Sequence, residues 1–218
     1  MIELRNLTKI FTIEGQRNVV ANRLNTVFPT GAAVGLLGRN GAGKSTLLKI
    51  IAGTMDPTSG RVVSDGTISW PVGFSGSFHP DLSGLQNTRF IARVYGVDTD
   101  ALITFVEDFA ELGQHFHLPF RTYSSGMRSR LAFGVSMGIR FDTYLVDEVT
   151  SVGDAAFQSK SRAVFKARME GSGAIVVSHS MQLMENLCTM GMVLEHGNLI
   201  VHDNIQDAIK HHLRNMRS

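Results

Sequence analysis

The chain has one cysteine, Cys188, among 218 residues, so it forms no disulfide within itself and suits a reducing compartment. No apolar run approaches the roughly 18–20 residues that a membrane-spanning helix needs, and the first residues do not read as a signal peptide. The formal net charge of +2 is too small to indicate nucleic-acid binding by itself. We therefore expect a protein that is soluble on its own and reaches a membrane only through a partner.

What is present indicates a globular protein with a sizeable core, because 43% of the residues are hydrophobic. Apolar strand patterns alternate with helices up to about residue 82 and again from residue 141, whereas residues 83–140 have a helical pattern with few strand signals. We predict a single α/β domain with its core at 1–82 and 141–218 and an inserted helical subdomain at about 83–140. Positive charge gathers in residues 210–217, which predicts a solvated last helix, with contact to anionic lipid headgroups as the alternative.

The most informative stretch follows an apolar strand pattern and precedes an apolar helix. It reads Gly38-Arg39-Asn40-Gly41-Ala42-Gly43-Lys44-Ser45-Thr46. Glycines let the backbone curl so that several N–H groups point at one anion, and the helix N-terminus adds partial positive charge. In such a loop Lys44 reaches the β- and γ-phosphates and the Ser45 hydroxyl holds Mg²⁺. The alternative, a glycine turn without a ligand, is disfavoured by the placement between a strand and a helix.

Two further strands end in side chains suited to phosphate chemistry. Asp147 and Glu148 follow one apolar strand, at the sheet edge where parallel α/β proteins bind ligands. Asp147 is predicted to hold Mg²⁺, directly or through a water, and Glu148 to accept a proton from the attacking water. His179 ends the next strand and is predicted to contact the γ-phosphate. The alternatives are an ordinary acidic turn and a packed histidine.

A serine-rich helix start completes the pattern, at Tyr123-Ser124-Ser125-Gly126-Met127-Arg128. By itself it indicates an N-cap, which is compatible with phosphate binding by the exposed N–H groups. With the sites above, the chain resembles the nucleotide-binding subunit of an ABC transporter, over nearly its whole length. Ser125 and Met127 replace the usual glycine and glutamine of that signature. Residues 151–154 resemble the loop after the acidic pair, and His179 matches the switch histidine.

The sequences of residues 69–74, 123–131 and 146–154 resemble those of the capsular polysaccharide exporters, and more broadly those of the polysaccharide and teichoic-acid export branch. O-antigen exporters often carry an extra carbohydrate-binding domain, and because the sequence stops at Ser218 we expect the capsule branch. Two departures stand out. The loop at 73–78 has no glutamine, so Ser75 is nearest to the expected magnesium contact. Phe11 is the candidate for stacking on adenine, with a plain core role as its alternative.

The resemblance implies a P-loop NTPase (RecA-like) core with an antiparallel β portion and a helical subdomain, binding ATP and Mg²⁺. It implies an ATP sandwich in which Ser124, Ser125 and Gly126 of one copy cap the nucleotide of a second copy, and Asp154 reports across the interface. A polytopic membrane permease is the expected partner, at the cytoplasmic face of the bacterial inner membrane, with no nucleic acid bound. The alternatives are an O-antigen or teichoic-acid exporter subunit, a soluble ABC ATPase that does not transport, and a regulatory module without turnover.

Overall fold

The computed structural model describes residues 1–73, 76, 78–147 and 155–217. The chain divides into one compact unit of residues 1–71, 141–148 and 171–218 and a second of residues 72–140 and 149–170. The second unit includes the segment predicted as the helical subdomain, together with a helix that the sequence assigns to the core. The division into core and subdomain at residues 83 and 140 stays a prediction.

The strands and helices follow the predicted alternation. In chain order they are β1 (Ile2–Ile13), β2 (Gln16–Phe28), β3 (Ala33–Leu37), α1 (Lys44–Ile51), β4 (Ser59–Ser64), β5 (Ile68–Pro71), α2 (Gly84–Tyr95), α3 (Thr99–Ala110), α4 (Ser125–Gly138), β6 (Thr143–Asp147), α5 (Ala155–Met169), β7 (Gly173–Val177), α6 (Met181–Leu187), β8 (Met190–Glu195), β9 (Asn198–His202) and α7 (Ile205–Arg217). Short 3-10 helices lie at Gly113–His117 and Phe120–Thr122.

The first unit contains two sheets. The larger has the strand order β5-β6-β7-β3-β8-β9 and is parallel except for the hairpin of β8 and β9. The smaller has the order β2-β1-β4 and is antiparallel. β3 is nearly all apolar because it pairs with β7 on one side and β8 on the other, in a sheet whose central strands are buried. The predicted α/β class with an antiparallel portion is confirmed.

Helix α1 joins the two sheets into one core. Four of its apolar side chains are buried, and they belong to the same cluster as residues of both sheets. The cluster includes Leu4 and Leu24 from the antiparallel sheet and Ile175 and Met192 from the parallel one. The helix ends as predicted before Gly53, whose φ of 70° suits a glycine that follows a helix.

The second unit is helical and packs around aromatic side chains. The Phe109 ring lies 5.8 Å from Phe105, 5.6 Å from Phe133 and 5.2 Å from Phe157, measured between ring centres. These four residues come from α3, α4 and α5. Side-chain caps start α2 at Ser83, α3 at Asp98 and α4 at Ser124, which explains why each helix begins where it does.

The last helix exposes Lys210 and Arg214, in keeping with the prediction of a solvated helix, but its other face is buried. Helix α7 buries Ile205, Ala208, Ile209 and His212, and it packs on β8, β3 and β9. Cys188 is also buried, and burial raises the pKa of its thiol to about 12. None of the described helices combines the length and the apolar character that crossing a membrane demands.

Candidate functional site

The predicted phosphate loop, residues 38–46, connects β3 to α1. Gly38, Gly41 and Gly43 have φ angles of 155°, 81° and 103°, which side chains other than hydrogen rarely allow. Helix α1 begins at Lys44 with Gly43 as its N-cap, and no side chain of the described residues caps its first amide groups. Amide groups at such a helix start are suited to bind an anion.

Two of these glycines are also required by packing. A Cβ atom on Gly38 would lie 2.6 Å from the carbonyl oxygen of Leu194, and one on Gly43 would lie 2.0 Å from Cγ1 of Val20. At Gly41 no atom of the residues that the structure describes lies within 4 Å of that position, and it is the backbone angle that favours glycine there. The loop is therefore pressed against β2 and β8 at its ends and open in its middle.

The side chain of Lys44 folds back over the loop. Its Nζ atom donates to the carbonyl oxygen of Gly38 at 2.7 Å and to that of Arg39 at 3.1 Å. The ammonium group is thus held at the loop by the backbone that surrounds it. This position places a positive charge where the amide groups of the loop converge.

A cavity of about 500 Å³ opens on the loop and joins several predicted residues. Lys44, Ser45 and Thr46 line it on the loop side, and Phe11 and His179 line it from other elements. Lys9 covers the Phe11 ring, with its Nζ atom 5.0 Å from the ring centre. The structure therefore brings the candidate adenine residue, the loop lysine and the switch histidine to one space, while their roles stay predictions.

Asp147 lies at the same edge of the parallel sheet. It pairs in register with Val177, which lines the cavity and is followed two residues later by His179. Ser178 and Ser180 shape the turn after β7, because Ser178 Oγ accepts a bond from the Ser180 amide at 3.1 Å. Neighbouring parallel strands thus present a carboxylate and an imidazole at one edge.

Three predicted site residues, Ser75, Glu148 and Asp154, lie outside the described residues. Their predicted roles at the magnesium ion, at the attacking water and across the interface stay predictions. Gln86, which follows the glutamine-less loop, caps helix α2. Its Oε1 accepts a bond from the Ser83 amide at 2.9 Å, in a capping box.

The serine-rich start of α4 belongs to the second unit. Ser124 is the N-cap, and its Oγ accepts a bond from the Met127 amide at 3.3 Å. Its hydroxyl hydrogen is left to donate elsewhere, since a hydroxyl both donates and accepts. Ser125 and Gly126 follow in the first helical turn, and a Cβ atom on Gly126 would meet nothing closer than Ser124 Oγ at 4.0 Å.

The sequence does not predict that the last helix supports the phosphate loop. Arg39 Nη1 donates to the carbonyl oxygen of Asn215 in α7 at 3.4 Å. A second cavity, of about 290 Å³, is lined by residues of both the phosphate loop and α7. His212 lines this cavity and is buried. Burial lowers the pKa of its imidazole, and the positive charge of Lys44 lowers that pKa further. The histidines within residues 210–217 were the feature of the sequence that could have indicated a role for this helix.

Among the residues that the structure describes, no cluster of three or more His, Cys, Asp or Glu side chains could hold a metal ion by itself. Ser45 and Asp147 have the oxygen atoms that suit a magnesium ion in a nucleotide site. In such sites few protein oxygens bind Mg²⁺, and the phosphates of the nucleotide supply further ligands.

The sequence profile described as "ABC transporter" matches residues 21–151. The polysialic acid transport ATP-binding protein KpsT of Escherichia coli is 46% identical over 212 residues, which cover 96% of this chain and 95% of that protein. The capsule polysaccharide export ATP-binding protein CtrD of Neisseria meningitidis serogroup B is 41% identical, with 97% and 98% covered.

Among solved structures, a dimeric ATP-binding cassette, MJ0796, bound to ADP and Pi, is similar with a TM-score of 0.78 and 22% identity. The likeness covers 94% of this chain and 99% of that one. It confirms the predicted fold.

Proposed function

The chain belongs to the ABC transporter family, in the branch of the capsule polysaccharide export ATP-binding proteins, and from this we propose that it hydrolyses ATP to drive a capsular polysaccharide across the bacterial inner membrane. The observation that carries the proposal is the cavity lined by Lys44, Ser45 and His179. An ammonium, a hydroxyl and an imidazole at one phosphate loop are the groups that phosphoryl transfer uses.

Binding of the triphosphate is the task of the loop. The amide N–H groups at the start of α1 donate to the phosphate oxygens, and the Lys44 ammonium turns from the Gly38 and Arg39 carbonyls to the β- and γ-phosphates. Ser45 and Asp147 would hold Mg²⁺, which neutralises charge on the transferring phosphoryl group. Phe11 offers its ring to the adenine.

Hydrolysis requires an oriented water. Glu148 accepts its proton in this proposal, and His179, at the neighbouring strand end, donates to the γ-phosphate oxygens. A positioned general base contributes about 10²–10⁴-fold to a rate, so Glu148→Gln is expected to bind ATP and hardly hydrolyse it. Lys44 stabilises the charge that develops on the phosphoryl group.

A second copy of the chain completes each site. The start of α4 supports this step, because Ser124 keeps a hydroxyl hydrogen to donate and the space beside Gly126 is open. Packing among the described residues does not explain a glycine at position 126, whereas the approach of a phosphate to its amide would. In the ATP sandwich Ser124, Ser125 and Gly126 contact the γ-phosphate held by the partner copy, and Asp154 lies at the interface.

The motion is passed to a polytopic permease at the cytoplasmic face of the membrane. The helical unit and the glutamine-less loop around residues 74–79 are the proposed contact, which would make this chain a peripheral subunit. A permease partner is supported by the names of the relatives, which are transport and export proteins.

The proposal is tested by phosphate release and by polysaccharide export in a strain that lacks the chain. Lys44→Ala is expected to abolish both, whereas Lys49→Ala, at an exposed lysine of the same helix, leaves both intact. Ser124→Arg is expected to spare ATP binding and block ATP-dependent dimerisation; its thermal unfolding is measured alongside, because it also removes a helix cap. A monomer that hydrolyses ATP at the full rate would refute the sandwich.

The alternatives are separated by the partner and the cargo. Co-purification with a polytopic membrane protein and loss of capsule in the deletion strain support the proposal. Tight nucleic-acid binding without a membrane partner would favour a soluble ABC ATPase, and loss of O-antigen or teichoic acid would reassign the cargo. Absence of steady-state phosphate release would indicate a regulatory module.

A further inference from the structure

Arg128 connects α4 to the residues that lead into its first turn. Its Nε donates to the carbonyl oxygen of Tyr123 at 3.1 Å, and its Nη2 donates to that of Arg121 at 3.1 Å. Its guanidinium also lies over the Phe120 ring, 5.4 Å from the ring centre. One side chain thus contacts two backbone carbonyl groups and one ring on the N-terminal side of Ser124. The Arg128 amide also donates to the Ser124 carbonyl oxygen at 3.0 Å.

The opposite side of the same segment is held by residues 78–83. The Phe120 amide donates to the Leu82 carbonyl oxygen at 2.9 Å, and the Arg121 amide donates to that of Pro80 at 2.8 Å. The rings of Phe78 and Phe120 lie 5.1 Å apart. The segment at residues 119–123 is therefore fixed between the end of the glutamine-less loop and Arg128.

The side chain of Tyr123 fixes the last residue before the cap. It is 4% exposed, and its hydroxyl donates to the His115 carbonyl oxygen at 2.7 Å. With the ring buried and the carbonyl held by Arg128, the backbone enters the helix along a single path. Ser124 is exposed, so its own position depends on these neighbours.

We propose that Arg128 is a positioning residue: it fixes the direction in which Ser124 and the Gly126 amide face the nucleotide of the partner copy. This inference rests on the proposed ATP sandwich. Arginine suits the task because its planar guanidinium donates to two carbonyl oxygens at once while stacking on a ring, whereas lysine is a single point charge on a flexible stem. Misplacing a binding group by a fraction of an ångström weakens the contacts that only the closed dimer makes.

The test uses the full chain carrying Glu148→Gln, so that hydrolysis does not dissolve the dimer. Arg128→Met keeps the apolar stem and removes the donors, Arg128→Lys keeps the charge, and Arg93→Met alters an exposed arginine of the same unit as the control. ATP-dependent dimerisation is measured by sedimentation velocity, ATP binding to the monomer by titration, and folding by thermal unfolding.

We expect Arg128→Met to weaken ATP-dependent dimerisation about 10- to 100-fold, Arg128→Lys to recover part of this, and Arg93→Met to change nothing. We expect ATP binding to the monomer to stay unchanged in all three variants. A general loss of structure would instead weaken ATP binding as well. If Arg128→Met does not fold, Arg128→Lys decides by the same measurements. A folded variant lacking the arginine that dimerises like the parent overturns the inference.

Ser124→Arg in the same background separates the two proposals. If it blocks dimerisation while Arg128→Met does not, the positioning role is wrong and the sandwich stands. If Ser124→Arg dimerises normally with ATP, the sandwich itself is wrong, and the positioning role falls with it.

Discussion

Replacing Gly126 by alanine is expected to change stability and activity in opposite directions. Position 126 lies in the first turn of α4 with an ordinary helical backbone, and the added Cβ would have its nearest neighbour, Ser124 Oγ, at 4.0 Å. Alanine therefore fits the isolated chain. It restricts the unfolded chain more than glycine does, so folding gains free energy.

The gain has an upper limit. Glycine in a helix costs about 0.5–1 kcal/mol relative to alanine, and a chain of this size shifts its unfolding midpoint by about 2–4 °C per kcal/mol. In the sandwich, however, the methyl group occupies the space through which the phosphate reaches the amide. Losing one preorganised donor to a developing oxyanion costs about 10²–10³-fold in turnover.

Gly138→Ala, at the other end of the same helix, is the matched control. Its Cβ would lie 2.3 Å from Leu102 Cδ1 and 2.9 Å from Phe105 Cδ1. Overpacking of this kind costs about 1–3 kcal/mol, so this variant is expected to unfold earlier. The assays are thermal unfolding and steady-state phosphate release with matched ATP saturation. A Gly126→Ala protein with full turnover and normal ATP-dependent dimerisation would show that no phosphate approaches this amide.

Three further results are expected. The pKa of His212 is lowered by burial and by Lys44, so the unfolded chain binds more protons near the ordinary histidine pKa of about 6.5. The contribution of neutral His212 to stability is complete above that pH and is lost as the pH falls below it, so His212→Leu should flatten this part of the acid limb in urea unfolding measured from about pH 7.5 to about pH 5. Gly43→Ala places a Cβ 2.0 Å from Val20 Cγ1 and should cost about 1–3 kcal/mol in urea unfolding, with Val20→Ala recovering part of the loss if the clash is the cause. Phe11→Ala should weaken ATP binding about 5- to 100-fold in an equilibrium titration, and equal affinity would show that Phe11 does not stack on adenine.

The phosphate loop and its flanking strand and helix were predictable because the glycine spacing, the apolar strand and the lysine specify one local structure. Local signals also predicted the start of α4, where Ser124 caps the helix in the structure. Helix α6 was not predicted, since seven residues give too little apolar periodicity. The length of β2, from Gln16 to Phe28, was also not predictable, because pairing with β1 extends it through polar residues.

Contacts between distant parts of the chain were beyond the reach of sequence patterns. The hydrogen bond from Arg39 to Asn215 joins residues 176 positions apart, and no local sequence pattern predicts it. The contacts of Arg128 are local, but they too were not predicted, because its partners at 121 and 123 are carbonyl groups that any residue supplies. Neither kind of contact has a residue pattern that marks it in the sequence.

The buried state of Cys188 has a practical consequence for studying motion. A thiol with a pKa of about 12 is almost wholly protonated at neutral pH, and maleimides react with the thiolate. The native sulfur therefore needs no removal before fluorophores or spin labels are attached. A cysteine introduced at exposed Arg93 would carry the reactive tag, and distances between two such tags would report whether the proposed ATP-dependent pair opens and closes during turnover.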